Sequence, residues 1–459
     1  MKSPLTARRS LAGGAALCGI LLLGSDCRPD RGGAGLLLLI TVDTLRADHV
    51  GAYGGPDLTP SLDRLAAESE VFSSAYSTAA STCPSLASLM TSRYPEEVGI
   101  DGNSAVLDPT APSLAAWLRA RGWQTGAVVS NFVLRRESGF DHGFEHYDDT
   151  LPDHESVRLA PERRAPATVD AALRLLDALG RTRRPVFLWV HYQDPHGPYS
   201  PPEALREQYL AAEREAADGQ VVLPVATSES GVGAIPMYQF LQERTDPAFY
   251  RAGYKGEVAL ADEWIGRLLD GLRDRGLMKG ATIIFAADHG EGMGEEDYWF
   301  AHGERLTEPL VHVPLFIRAP GRPGARRNDV VSLLDVFPTL AALVGSSPPE
   351  GVRGRDLLLP SSGTSSADIY LWTPRANRRG IIAEGFKYLV AAGEQPPEER
   401  LFRLGEEGLD LAIRQPELLR AMRDRLGAAR ASLRTAPVAN QQLDAGDREK
   451  LKALGYVEE

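Results

Sequence analysis

Four short stretches of the chain carry residue types able to bind an anion, attack as a nucleophile or hold a metal ion. In the first, Ser81-Thr82-Cys83-Pro84-Ser85 leads into Leu86, Leu89 and Met90 on one helical face, and Pro84 suits a first helical turn. A hydroxyl just before such a helix lies where backbone N–H groups and the helix dipole favour an anion. Thr82 therefore reads as a nucleophile or anion anchor, or else as a plain capping residue. In the second, Asp43 follows the apolar run 36–42, where the alternative is a helix cap or turn aspartate. The third sets Asp288-His289-Gly290-Glu291 after the apolar run 283–287, and Gly290 lets the backbone turn sharply beside a ligand. The fourth pairs His191-Tyr192-Gln193-Asp194-Pro195-His196 with Ala301-His302-Gly303-Glu304. Asp43, Thr82, Asp288 and His289 form a four-ligand set suited to one divalent ion, with Ca, Mg, Mn and Zn all open. Asp194, His196 and His302 would make a second metal site, or contacts to substrate.

These groups need a scaffold that brings strand ends together. Ligands in open α/β sheets collect at the carboxyl ends of the strands. Strand-like runs at 36–42, 124–129, 186–191, 282–287 and 315–318 alternate with helical patterns at 113–120, 168–179, 249–275 and 333–344. Such alternation predicts an α/β domain over 36–345: a large doubly wound, mixed but mostly parallel sheet with helices on both faces. Residues 203–237 read as an insertion near the site mouth, and 346–367, rich in Pro, Gly and Ser, as a linker. Beyond it, 368–459 predicts a small α+β domain with strands at 369–372, 380–382, 387–390 and 401–404, then a helix over 416–433.

The composition narrows the partners. A net charge of −12 on 459 residues, with no basic stripe interleaved with aromatics, excludes a nucleic-acid binder. Residues 1–27 are an object of another kind: Lys2, Arg8 and Arg9 precede an apolar run at 17–23 and then Gly24-Ser25-Asp26-Cys27. That is an export signal, too short for a membrane span, with 28–35 as a Gly-rich tether. A lipid on Cys27 would make the protein a membrane-anchored lipoprotein; without it the periplasm is the expected compartment. Of the three cysteines only Cys83 falls in the folded body, so no internal disulfide forms there.

The motifs TVDTLRADHVGAYG (41–54), TCPSLASLMTSRYP (82–95), YQDPHGPY (192–199), AADHGEGMGE (286–295) and HGERLTEPLVHVPLF (302–316), in this order and spacing, resemble the sulfatase family of the alkaline phosphatase superfamily. The terminal LKALGYV (451–457) also recurs at the end of bacterial relatives. The resemblance implies the alkaline phosphatase-like fold, metal binding by Asp43, Asp288 and His289, the nucleophile at Thr82, and His196 on the substrate's anionic group.

The departures from that pattern bear on chemistry. Sulfatases that cleave sulfate esters convert a Cys or Ser, two places before the motif proline, to formylglycine; here that place is Thr82, which cannot be converted. Cys83 is one position late, and Leu86 stands where the converting enzyme expects Arg. Thr44 replaces the second Asp of the usual pair, a sulfate-binding Lys-x-His is lost around Val129-Ser130-Asn131, and Glu304 stands near another expected Lys. With fewer side-chain cations, positive charge for the transition state must come from the ion. Phosphodiesterase-like members of the superfamily use a threonine at this place. The expectation is thus an exported, metal-dependent hydrolase of sulfate or phosphate esters on a glycan, lipid or metabolite. Thr82 attacks, and His196 and His302 assist the leaving group or hold a second ion. Two other readings remain open here: a transferase passing a phospho-head group from lipid to acceptor, and a binding protein of the same fold that has lost turnover.

Overall fold

Leu36–Val42 (β1) is apolar at six of its seven positions and buried at all of them, because other elements cover both faces of the sheet it centres. The computed structural model describes residues 35–158, 160–216, 221–359, 368–391, 396–441, 446 and 450. The export signal, Cys27, most of the tether, the later part of the linker and the 451–457 motif lie outside the described residues.

The large sheet has eight strands: β1, Glu70–Tyr76 (β2), Gln124–Val128 (β3), His146–Asp148 (β4), Val186–Tyr192 (β5), Ala281–Ala287 (β6), Leu315–Arg318 (β7) and Ala325–Ser332 (β8). Their spatial order is β8-β2-β7-β6-β1-β5-β3-β4, and β7 alone runs antiparallel to its neighbours. The helices gather in two groups. Pro60–Ala67 (α1), Ala165–Leu179 and Glu203–Ala216 all pack on the long helix Pro247–Asp274, while Thr82–Thr91 packs with Leu114–Arg119 and Val336–Leu343. In chain order we call Thr82–Thr91 α2, Leu114–Arg119 α3, Ala165–Leu179 α4, Glu203–Ala216 α5 and Pro247–Asp274 α6. This is the mixed, mostly parallel α/β architecture the alternation predicts.

Three strands of the large sheet are absent from the sequence reading, and one of them, His146–Asp148, has only three residues. Ala325–Ser332 carries Arg326, Arg327, Asn328 and Asp329, and as the edge strand it buries none of them. Glu70–Tyr76 has two serines at its centre, so its apolar signal is split. A half-solvated strand cannot show the continuous apolar run that marks a central one.

The C-terminal strands Ile369–Thr373, Arg378–Ala383, Phe386–Ala391 and Glu398–Arg403 form an antiparallel meander, on which Pro416–Ala431 buries Met422 and Leu426. This sheet is keyed to the large domain. Lys387, fully buried, donates to Glu308 Oε2 at 2.9 Å and pairs with Glu407, while Tyr76 Oη donates to Glu308 Oε1 at 2.8 Å. The Thr373 hydroxyl donates to the Gly303 carbonyl, so the meander also braces the loop that carries His302.

Candidate active site

The register of the three central strands sets the first two ligands. Val42 pairs with Ala287 across β1 and β6, so Asp43 and Asp288, each one residue past its strand, emerge side by side. Asp43 N donates to Tyr192 O at 3.0 Å and Asp288 N to Val42 O at 3.2 Å, which extends the ladder one step and fixes both backbones. With β1, β5 and β6 buried at every position, each apolar side chain contributing about 1.5–3 kcal/mol, these ends are rigid supports.

Within this frame each carboxylate is half satisfied. Asp288 Oδ1 accepts from His289 N at 2.7 Å and from Thr44 N at 3.2 Å, while Oδ2 is buried without a hydrogen-bond partner. Asp43 Oδ2 accepts from Asn131 Nδ2 at 2.6 Å and stands 3.5 Å from Thr82 Oγ1, while Oδ1 has no partner. His289 Nδ1 donates to the Gly290 carbonyl at 2.9 Å, so its neutral tautomer presents a lone pair on Nε2, which is also buried and unpartnered. That nitrogen lies 3.5 Å from Asp43 Oδ1 and 3.7 Å from Asp288 Oδ2.

Three buried acceptors facing one another without a donor are costly, and a cation among them removes the cost. One ligand atom from each of Asp43, Asp288 and His289 lies within 4.8 Å of the others, and no further such group occurs among the described residues. The donor set thus fits a divalent ion. The charges agree. Burial, then the Asp43 charge, pushes the Asp288 carboxyl well above the usual carboxylate range. Burial also acts against Asp43, but the imidazoles of His196, His191 and His289 outweigh it and hold that carboxyl below its usual range.

Thr82 occupies the first turn of α2 rather than the position before it: the helix begins at Thr82 and Ser81 is the extended residue preceding it. Ser85 Oγ donates to the Asp288 carbonyl at 2.5 Å and Cys83 N to Asn103 Oδ1 at 2.9 Å, so the helix start is pinned to the Asp288 loop. Cys83 Sγ faces Val133 O and Asn103 O. Gly290 is required by space rather than by a left-handed backbone: a Cβ there would run into the Pro309 carbonyl.

His196 and His302 join this cluster, and Asp194 does not. The His302 ring lies 4.6 Å from that of His289 and 5.1 Å from that of His196. His196 Nδ1 donates to the Gly197 carbonyl at 2.6 Å, leaving Nε2 buried and unpartnered. Burial lowers the His196 imidazole to about 4 and takes His302, crowded also by His289, well below its usual value, so both are neutral near pH 7. Asp194 instead accepts from Ala165 N at 2.8 Å at the start of α4 and pairs with Arg164 Nε at 3.1 Å. The set Asp194, His196 and His302 expected as a second metal site is therefore not assembled, because a helix start and an arginine claim the carboxylate.

The same Arg164 serves Glu257 at 3.0 and 3.2 Å and Glu162 at 3.4 Å. Three buried carboxylates share one guanidinium, so burial, with the neighbouring acids, raises Glu257 to about 8 and Glu162 to about 7. A carboxyl raised on folding binds its proton more tightly in the native state. The stability it gives is full below the unfolded value and is lost as pH climbs to the folded one. Urea midpoints are expected to fall between pH 6 and 8.5 by the equivalent of about 2 kcal/mol, and Glu257→Gln to flatten that decline. An unchanged slope in the variant would assign the loss elsewhere.

Three contributors are given no role by the sequence reading. Asn131 enters it only as the place of a lost lysine motif, yet its side-chain amide holds Asp43. His191 Nε2 lies 3.7 Å from Asp43 Oδ2, and its Nδ1 lies 2.9 Å from Thr41 Oγ1, which accepts from Trp189 Nε1. Only the pairing of Thr41 with His191 in the sheet reveals this. Glu291, fully buried, carried no signal beyond its place in AADHGEGMGE.

Comparison with known proteins gives the family. Human iduronate 2-sulfatase (Homo sapiens) is 27% identical over 432 residues, covering 76% of each chain. Choline-sulfatase of Rhizobium meliloti is 27% identical over 437 residues, covering 82% of this chain and 81% of its own. The crystal structure of phosphonate monoester hydrolase from Agrobacterium radiobacter superposes with a TM-score of 0.67 at 21% identity, covering 89% of this chain and all of that one. The family model for sulfatases matches residues 36–346, the span that supplies every ligand atom described above, and the chain therefore belongs to the sulfatase family.

Proposed function

We propose that the protein is an exported ester hydrolase in which Thr82 is the nucleophile and Asp43, Asp288, His289 and Thr82 hold one divalent ion. The observation that carries this reading is the convergence of three unpartnered, buried ligand atoms beside the hydroxyl that heads α2. When bound, the ion supplies the positive charge that stabilises a developing anion. The chain's own residues do the rest. Asn131 holds Asp43 with Oδ1 free, Ser85 ties α2 to the Asp288 loop, and Thr82 forms the covalent intermediate that water later cleaves. His196 and His302 are placed to exchange protons with leaving group and water.

Charge balance selects the substrate. Two carboxylates neutralise a divalent ion, and the pocket lacks the lysines expected of the family, so the site suits a reacting group with one negative charge. Sulfate monoesters, phosphodiesters and phosphonate monoesters qualify; dianionic phosphomonoesters do not. With matched aryl esters, kcat/KM for the phosphomonoester is expected to be about 100-fold below the best monoanion. Purified protein is expected to hold close to one equivalent of ion, with activity lost on chelation and restored by that ion. Ion-free protein with full turnover would remove the metal from the mechanism, and protein that never binds an ion would favour a binding role.

A further inference from the structure

Glu291 is the one fully buried acid facing the cluster to which the reaction above gives no part. Its Oε2 accepts from Tyr199 Oη at 2.9 Å, and its Oε1 lies 3.2 Å from His302 Nδ1, which donates to it whenever Glu291 is ionised. Its backbone is held as well: Arg46 Nη1 donates to the Glu291 carbonyl at 3.1 Å. His191 and His289 are fully buried, whereas His196 and, slightly more, His302 keep some exposure, so these two are the imidazoles that water reaches.

We infer that Glu291, steadied by Tyr199, is a positioning residue that keeps His302 with Nδ1–H turned into the protein and Nε2 toward the Thr82 ester, where Nε2 serves the water that cleaves it. The inference rests on the Thr82 reading and deepens it. In the step, a water oxygen bonds to phosphorus or sulfur and its proton passes to His302 Nε2. The bond from Thr82 Oγ1 to that atom breaks with its electron pair left on Oγ1, and Nε2 returns the proton there. Water is the only co-reactant. An acid that orients an imidazole through Nδ1 and leaves Nε2 to work is the arrangement that serves hydrolases of other folds.

Glu291→Gln tests this without changing volume. Glutamine keeps an acceptor oxygen for His302 Nδ1, and its amide N–H can donate to Tyr199 Oη once that hydroxyl turns, so what is lost is the negative charge that favours the imidazolium. With an aryl phosphodiester, kcat is expected to fall about 10²- to 10³-fold with KM within about twofold. The first turnover should survive as a burst near one equivalent, and intact-mass analysis should show the transferred group persisting on Thr82. Tyr199→Phe should move the same readouts in the same direction by about tenfold. Metal content and melting temperature, measured alongside, should match wild type. Wild-type turnover in Glu291→Gln, slowing without burst or adduct, or a loss that tracks loss of the ion would each overturn the inference. A wild-type adduct that the variant clears at the normal rate overturns the inference alone; absence of an adduct from both proteins overturns the Thr82 reading beneath it.

Discussion

Thr82→Ala is expected to abolish hydrolysis of an aryl phosphodiester or aryl sulfate, a loss of about 10⁴-fold or more, while the protein keeps its fold and its ion. The fold should survive because little depends on the hydroxyl. Its single contact, 3.5 Å to Asp43 Oδ2, is at the limit of a hydrogen bond, and alanine is well tolerated in a first helical turn. Asp43 keeps its stronger partner in Asn131 at 2.6 Å, and α2 keeps the Ser85 tie to the Asp288 carbonyl. A large loss of rate with a small loss of stability separates a reacting group from a capping residue, whose removal costs about 1 kcal/mol of stability and little chemistry. Thr82→Ser should retain activity within about tenfold, since the hydroxyl remains. Cys83→Ala supplies the control for register: its thiol faces Val133 and Asn103, so the change should cost stability and leave rate nearly intact. Undiminished turnover in Thr82→Ala would remove the residue from the reaction, and a collapse of rate in Cys83→Ala would mean that the nucleophile had been placed one position early.

Much of this arrangement was legible before any coordinates. Apolar runs such as Leu36–Val42 and Ala281–Ala287 announce central strands because both their faces are buried, and the first charged residues after them, Asp43 and Asp288, mark the strand ends where ligands gather. What stayed hidden depends on partners far off in sequence. The polar edge strand Ala325–Ser332 looks like a loop until Glu70–Tyr76 lies beside it. Asn131 becomes a support of Asp43 only when 88 residues of separation are folded away. Asp194 is the instructive failure: its spacing to His196 suits a metal, but Ala165 N and Arg164, some 30 positions earlier, take its oxygens. Ligand spacing along the chain tells which groups are available, not which are already spent on a helix start. The export signal and the lipid on Cys27 remain proposals of the sequence.

The second large effect is expected at Asp288→Asn, and it should separate binding of the ion from stability of the fold. The asparagine carbonyl takes over the Oδ1 role, accepting from His289 N and Thr44 N, so the local backbone is preserved. Its amide then replaces the unpartnered Oδ2 and faces the region of Asp43 Oδ1, an acceptor that has no donor. In ion-free protein this turns two buried acids into one acid beside an amide, and the melting temperature should be equal to wild type or higher, by the equivalent of about 1–2 kcal/mol. The cost falls on the ion. A neutral amide contributes neither the charge nor the anionic oxygen a divalent cation requires, so affinity should drop by orders of magnitude and turnover with it, about 10⁴-fold. Wild type at an ion concentration about 1,000 times its Kd should gain about 4 kcal/mol on binding, and the variant almost nothing. Melts of both proteins with chelator and with added ion read all four states: the wild-type curve should rise steeply with ion, the variant curve stay flat, and the ion-free pair meet or cross in the variant's favour. Ion-free Asp288→Asn melting far below ion-free wild type would show that Asp288 is there to hold the fold, and retained ion with retained turnover would move the metal site elsewhere.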